Sequence, residues 1–253
     1  NQIDPARVNI EAMFRYLAAE VAGQRGEFGI SSRLFYDLAK SEKDARLAER
    51  AAKIAAYGNI TNLAVPAIRL WAELDPESTE AQQAMTLAVL SGKRGAMQGP
   101  YNVLLRSPEV GNLAQQFGAH TRFHSSLPLA LNELAILMMA RHWTAQFVWW
   151  AHRRIAQEAG LPVPLIDCIA QGRPAPDDLA PEVRAVHRFC AELIADRQVS
   201  DATYADAVAH FGERGVVDLM ATLGYYTLVC MALNVDDYPL PEGAQPELGP
   251  LDR

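Results

Sequence analysis

Cysteine is scarce in this chain: it has only Cys168, Cys190 and Cys230, an odd number spaced far apart. That argues against a disulfide framework or a Cys-rich zinc site. It fits buried thiols in a reducing compartment, so a cytoplasmic location is expected. Positive charge is also short. Lys and Arg total 23 against 30 Asp and Glu, a formal net charge of -7, which leaves no basic field for nucleic acid or an anionic membrane. Phosphate-cradling loops of the GxGxxG or GxxxxGK(S/T) kind are missing, so nucleotide binding has no support. No basic-then-apolar leader is expected at the N-terminal end. Alternating strand patterns of useful length are absent too, and the chain reads as all-α. Long apolar runs are limited to residues 219–235. Asp218 and Asp236 close that run, and Gly224, Tyr225, Tyr226, Thr227 and Asn234 interrupt it, so a buried core helix is expected and no membrane span.

What is present begins with helical periodicity and an internal echo in residues 1–76. A shift of 33 residues lays Ala18, Ala19, Val21 and Ala22 over Ala51, Ala52, Ile54 and Ala55. The same shift lays Phe35, Leu38 and Ala39 over Ile68, Trp71 and Ala72. Small residues on one helix and larger ones on the next are what close-packed hairpins need. The period and the closing Asp75-Pro76 resemble about two tetratricopeptide repeats. Such repeats normally need three or more units, or a cap. Residues 1–76 should therefore lean on the adjoining part of the chain or on a protein partner. A second domain is expected over 77–253. The glycine-rich loop at 91–100 breaks the helical pattern, and after it helices are expected near 108–124, 128–142, 144–159, 163–170, 181–196, 201–211 and 214–233.

The chemistry concentrates between Glu133 and His152. Glu133 sits one turn inside an apolar run, where a carboxylate is costly unless paired or functional, and burial would raise its pKa. It is a candidate general acid or base; the alternative is a structural carboxylate paired with Arg141 or Arg122. His152 is either its partner or a satisfied core histidine. On one continuous helix the nineteen-residue separation would hold the two roughly 28 Å apart. They can meet only if the helix breaks, and Trp143-Thr144 is the candidate pivot, with Thr144 as N-cap. His120 and His124 share a helix face without a convincing third ligand, so no metal is expected. Trp143, Trp149 and Trp150 line a pocket or pack a core.

A longer pattern runs from about 80 to 245. It includes Gly99-Pro100, Leu104-Leu-Arg-Ser-Pro108, Ser126-Leu-Pro128, Glu133-Leu-Ala-Ile-Leu137, Ala140-Arg-His-Trp143, Ala145-Gln146, Trp149, Ala151-His152 and Ala159-Gly-Leu161. It ends with Val199-Ser-Asp-Ala-Thr-Tyr204, Phe211-Gly-Glu-Arg-Gly215 and Gly224-Tyr-Tyr-Thr-Leu228. This resembles the carboxymuconolactone decarboxylase family, which is similar to the alkylhydroperoxidase D proteins. The resemblance implies an all-α fold, assembly as homotrimers or hexamers, and pockets between helices. It sets Glu133 and His152 on the family's glutamate and histidine.

The peroxidase branch has a Cys-x-x-Cys pair where this chain has Ala145 and Val148, so the thiolate that relay chemistry needs is missing. The decarboxylase branch reads Tyr-Glu-Trp where this chain has Phe147, Val148 and Trp149, which makes the pocket more apolar. The implied reaction is a cofactor-independent decarboxylation of a small carboxylate or lactone. His142 or His152 would stabilise an enolate, Glu133 would return a proton to carbon, and Arg122 would clamp a substrate carboxylate, with Phe147 and Trp149 in the pocket. The competing expectation is a non-catalytic ligand-binding or assembly module that keeps an inherited pocket.

Overall fold

The computed structural model describes residues 5–92 and 99–250, and among them there is no strand. The glycine-rich loop expected at 91–100 lies mostly outside the described residues. The all-α reading holds. The chain divides into two compact units, residues 1–115 and 116–253, and the 76/77 junction expected from sequence falls inside the first.

In the first unit, α1 (Pro5–Gln24) and α2 (Phe28–Glu42) form one hairpin, and α3 (Ala45–Tyr57) and α4 (Thr61–Leu74) form the next. The echo is physical. Ala19 and Ala22 on α1, and Ala48, Ala51, Ala52, Ala55 and Ala56 on α3, are buried as a stripe of methyl groups. Phe35 and Leu38 on α2, and Ile68 and Trp71 on α4, fill the space between. Alanine's small size lets helix backbones approach, and the large residues restore packing density.

The turns are specific. Asp44 caps α3 by accepting from the Arg46 amide at 2.9 Å. Gly58 has no room for a side chain, since a Cβ there would stand 2.4 Å from that of Phe28. The pattern continues further than residue 76. On α5 (Thr79–Gly92), Ala81, Ala84 and Ala88 are buried and stand 33 residues after Ala48, Ala51 and Ala55. The short α6 (Pro100–Leu104) closes onto the same core through Tyr101, with Leu105 beside it.

Helix α7 (Pro108–Phe123) spans the division. The second unit continues with α8 (Leu129–His142), α9 (Gln146–Glu158), α10 (Val163–Ala170), α11 (Pro181–Asp196) and α12 (Asp201–Val235). Residues 131–137 of α8 are buried without interruption, as in a helix enclosed on all sides. It packs against α9, α10, α11 and α12. At φ 66° and ψ 172°, Gly212 breaks α12, which accounts for the two helices expected over 201–211 and 214–233. The apolar run 219–235 is a core element: Leu219, Leu223, Tyr226, Val229, Cys230 and Leu233 are buried. By length and composition α12 could also cross a membrane, but 56% of its most apolar window is buried within the protein.

Candidate acid–base site

The site depends on the turn between α8 and α9. The break falls where expected, but Thr144 is not an N-cap. It adopts a left-handed conformation at φ 49° and ends α8. Its amide donates to Arg141 O at 3.0 Å and the Ala145 amide donates to Ala140 O at 2.8 Å, the paired bonds of a Schellman motif. Ala145 takes the N-cap position of α9 without a side-chain bond. Glu133 lies ten residues before Trp143 and His152 nine after it, so a hairpin pivoting there sets the two at one height.

His152 Nδ1 and Glu133 Oε2 are 2.7 Å apart, with side chains 8% and 2% exposed. The carboxylate's described partner is therefore the imidazole. Arg141 instead donates to Gly249 O at 2.8 Å. The other imidazole nitrogen is also occupied, since Tyr226 OH stands 3.2 Å from His152 Nε2. The two rings meet edge to face at 5.0 Å. In the tautomer whose Nδ1–H donates to the carboxylate, Nε2 accepts from the phenol. Glu133, His152 and Tyr226 thus form a three-member proton-sharing chain drawn from α8, α9 and α12.

Sequence reading singled out the first two and missed Tyr226. A signal was present: Asp218, Thr222 and Tyr226 recur every fourth residue on α12, a polar ladder in an apolar run. Each rung meets a polar partner. Thr222 Oγ1 donates to Asn132 Oδ1 at 2.7 Å, and Asn132 Nδ2 donates to Thr121 O at 2.9 Å. Asp218 accepts from the Ser126 amide at 2.7 Å and hydroxyl at 2.6 Å, with His120 Nε2 at 3.4 Å. Burial pushes the Asp218 carboxyl up, but the Ser126 and His120 contacts outweigh it and hold it below its ordinary value.

The remaining candidates are engaged elsewhere. The Arg122 guanidinium lies 5.5 Å over the Phe123 ring. His142 is exposed and edge-on to Trp143 at 5.7 Å. Phe147 packs edge-on to Tyr238 at 4.9 Å. Trp149 is buried and its Nε1 donates to Glu247 at 3.1 Å.

Thiol chemistry has little footing. Cys190 and Cys230 are buried, and burial pushes their thiols up to about 12, far from the thiolate a peroxidase needs. Among the described residues no group of three or more His, Cys, Asp or Glu could hold a metal ion.

No protein-family model matches the chain. Over 84 residues it is 31% identical to a TPR repeat-containing protein of Pseudomonas aeruginosa. That stretch is 33% of this chain and 14% of that protein. The resemblance of residues 80–245 to the carboxymuconolactone decarboxylase family gains no support from these comparisons and rests on the quoted residues. The similarity that was found agrees with the alanine-striped hairpins of the first unit, which are tetratricopeptide-like.

Proposed function

We propose that the second unit is a cofactor-independent acid–base catalyst of the carboxymuconolactone decarboxylase type, acting on a small carboxylate or lactone. One observation carries this reading: the buried Glu133–His152–Tyr226 chain, which joins α8, α9 and α12 inside a largely apolar core. A titratable chain is a costly way to fill a core, and proton transfer is the chemistry that uses it. Loss of carbon dioxide beside a carbonyl leaves an enolate. The Tyr226 phenol, held by the His152–Glu133 pair, would stabilise the enolate oxygen and give its proton to carbon, and water would replace that proton.

The test is turnover of small lactone acids by the wild-type protein and by Glu133→Gln. Turnover lost in the variant supports the reading; no turnover by either, with both folded, overturns it. A second reading draws on the sealing of the pair, 2% and 8% exposed: the second unit is a non-catalytic binding or assembly module. It calls for small acids to bind without being consumed.

For the first unit we propose a protein-binding role. The supporting feature is a groove of about 1370 Å³ whose lining includes Tyr16, Glu20, Arg50, Lys53, Tyr57 and Arg106. Peptides selected against the full chain should lose binding in Arg50→Ala and Lys53→Ala; binders indifferent to both changes overturn it. We also propose a homo-oligomer, trimer or hexamer. Val217, Met220, Met231 and Val235 on α12 are exposed and offer an apolar face for a second copy. Sedimentation that finds a monomer at micromolar concentration overturns that.

A further inference from the structure

The C-terminal residues 246–249 lie along the second unit as a strap, and what holds them resembles a receptor for an acid. Gln146 grips the strap's main chain from both sides. Its Nε2 donates to Leu248 O at 2.6 Å, and its Oε1 accepts from the Glu247 and Leu248 amides, both at 3.1 Å. Arg141 adds its bond to Gly249 O at 2.8 Å. Leu248 is 5% exposed and seats an apolar side chain in the same place. The Glu247 carboxylate takes two donors on one oxygen, Trp149 Nε1 at 3.1 Å and the Arg153 guanidinium at 2.5 Å.

Two further facts bear on what this arrangement is for. Arg141 Nε and Arg153 Nε are buried and have no hydrogen-bond partner, so the strap leaves donor capacity unused. On α9, Trp149 precedes His152 by three residues and Arg153 by four, so it shares a helix face with both. Its indole therefore stands within one helical turn of both the Glu247 anchor and His152.

We propose that Trp149 Nε1 and Arg153 form a carboxylate-binding subsite for a small, partly apolar acid, which the chain's own Glu247 fills until that acid displaces the strap. The inference rests on the acid–base reading for the ligand's chemistry and on the strap's geometry for its place. The anchoring ion pair is displaceable, because its side chains are 35% and 37% exposed and such pairs hold weakly. A guanidinium with a neighbouring indole N–H suits a carboxylate, and the seat under Leu248 suits an apolar body.

The test uses the full chain with benzoate as probe and benzamide as the uncharged control. Glu247→Ala vacates the subsite, so benzoate binds it about tenfold or more tightly than wild type, as expected when the competent state has been a minor fraction. The double variant Glu247→Ala/Arg153→Ala loses that gain, and benzamide shows none. In the wild-type protein, saturating benzoate speeds hydrogen exchange at the Glu247 and Leu248 amides. Equal benzoate affinity in wild type and Glu247→Ala overturns the subsite. So does an affinity indifferent to Arg153, or exchange unchanged at saturation. Failure of lactone-acid turnover would sink the catalytic reading and leave these binding results standing, so the two are separable.

Discussion

The two units use their buried polar groups differently. Among the described residues, those buried in the first are uncharged, Ser31, Ser32, Asn102 and Gln115; the Ser31 hydroxyl, for example, donates to Ala19 O at 2.7 Å. Its interior is otherwise methyl groups and a few large apolar side chains. The second unit buries Asn132, Glu133, Arg141, His152, Asp218 and Thr222, and links Glu133 to His152 and Asn132 to Thr222. An alanine stripe repeated along three helices is a way to stack hairpins and asks nothing of side-chain chemistry. A titratable chain in the core adds little to stability over apolar packing and is strongly destabilising when half removed. Repetition marks scaffold, and buried ionisable groups mark the place to look for chemistry.

That contrast can be broken most sharply at His152. His152→Ala strands a buried carboxylate and is expected to cost about 3 to 5 kcal/mol, whereas Glu133→Leu/His152→Leu together should cost far less. Urea unfolding of both variants measures the difference; equal costs would mean that the pair does not act as a unit. Next in size is overpacking of the first unit. Ala51 is fully buried, so Ala51→Leu should cost about 1 to 3 kcal/mol, read as a lowered thermal midpoint.

The third expectation concerns acid. Glu192 accepts from the Thr203 hydroxyl at 2.6 Å and the Ser200 amide at 2.9 Å. These bonds, the Thr203 one foremost, hold its carboxyl down to about 2 from 4.5. The folded-state value lies below the unfolded one, so the stabilisation is complete above pH 4.5 and is lost as pH falls toward 2. Glu192→Gln should flatten the melting temperature across that window; an unchanged slope would remove Glu192 from the acid response. The smallest effect belongs to Thr144. Relieving a β-branched residue of its left-handed conformation, Thr144→Gly should be neutral or stabilise by up to about 1 kcal/mol, and calorimetry is enough to see it.

Much of the architecture was legible because local chemistry fixes it. Pro162 and Pro181 stand at the starts of α10 and α11, and the division expected between 211 and 214 falls at Gly212. The distance argument that one helix could not join Glu133 to His152 located the turn. Its details escaped, since Thr144 carries no sign that it would adopt a positive φ. Tyr226 stood out in sequence only as an interruption of an apolar run, because its partner lies 74 residues back. The third alanine helix was missed because the closing Asp75-Pro76 looked like an end. Arg122, His142 and Phe147 were singled out by type and position, but where such side chains point depends on packing that one sequence does not display. Glu247 is one of several acids in a tail rich in Pro and Gly, and nothing near it in sequence announces Arg153.

The span from His152 to Tyr226 also has a consequence in time. Hairpins of the first unit close as soon as neighbouring helices exist, because their contacts are local. The proton-sharing chain cannot be completed until the 74 residues beyond His152 have left the ribosome, a wait of about 4 to 15 s at ordinary synthesis rates. Until then Glu133 and His152 lack the cover that Tyr226 and the rest of α12 give them. Helix α12 is therefore the one that seals the core, and a chain stalled before it would expose the segment least suited to exposure.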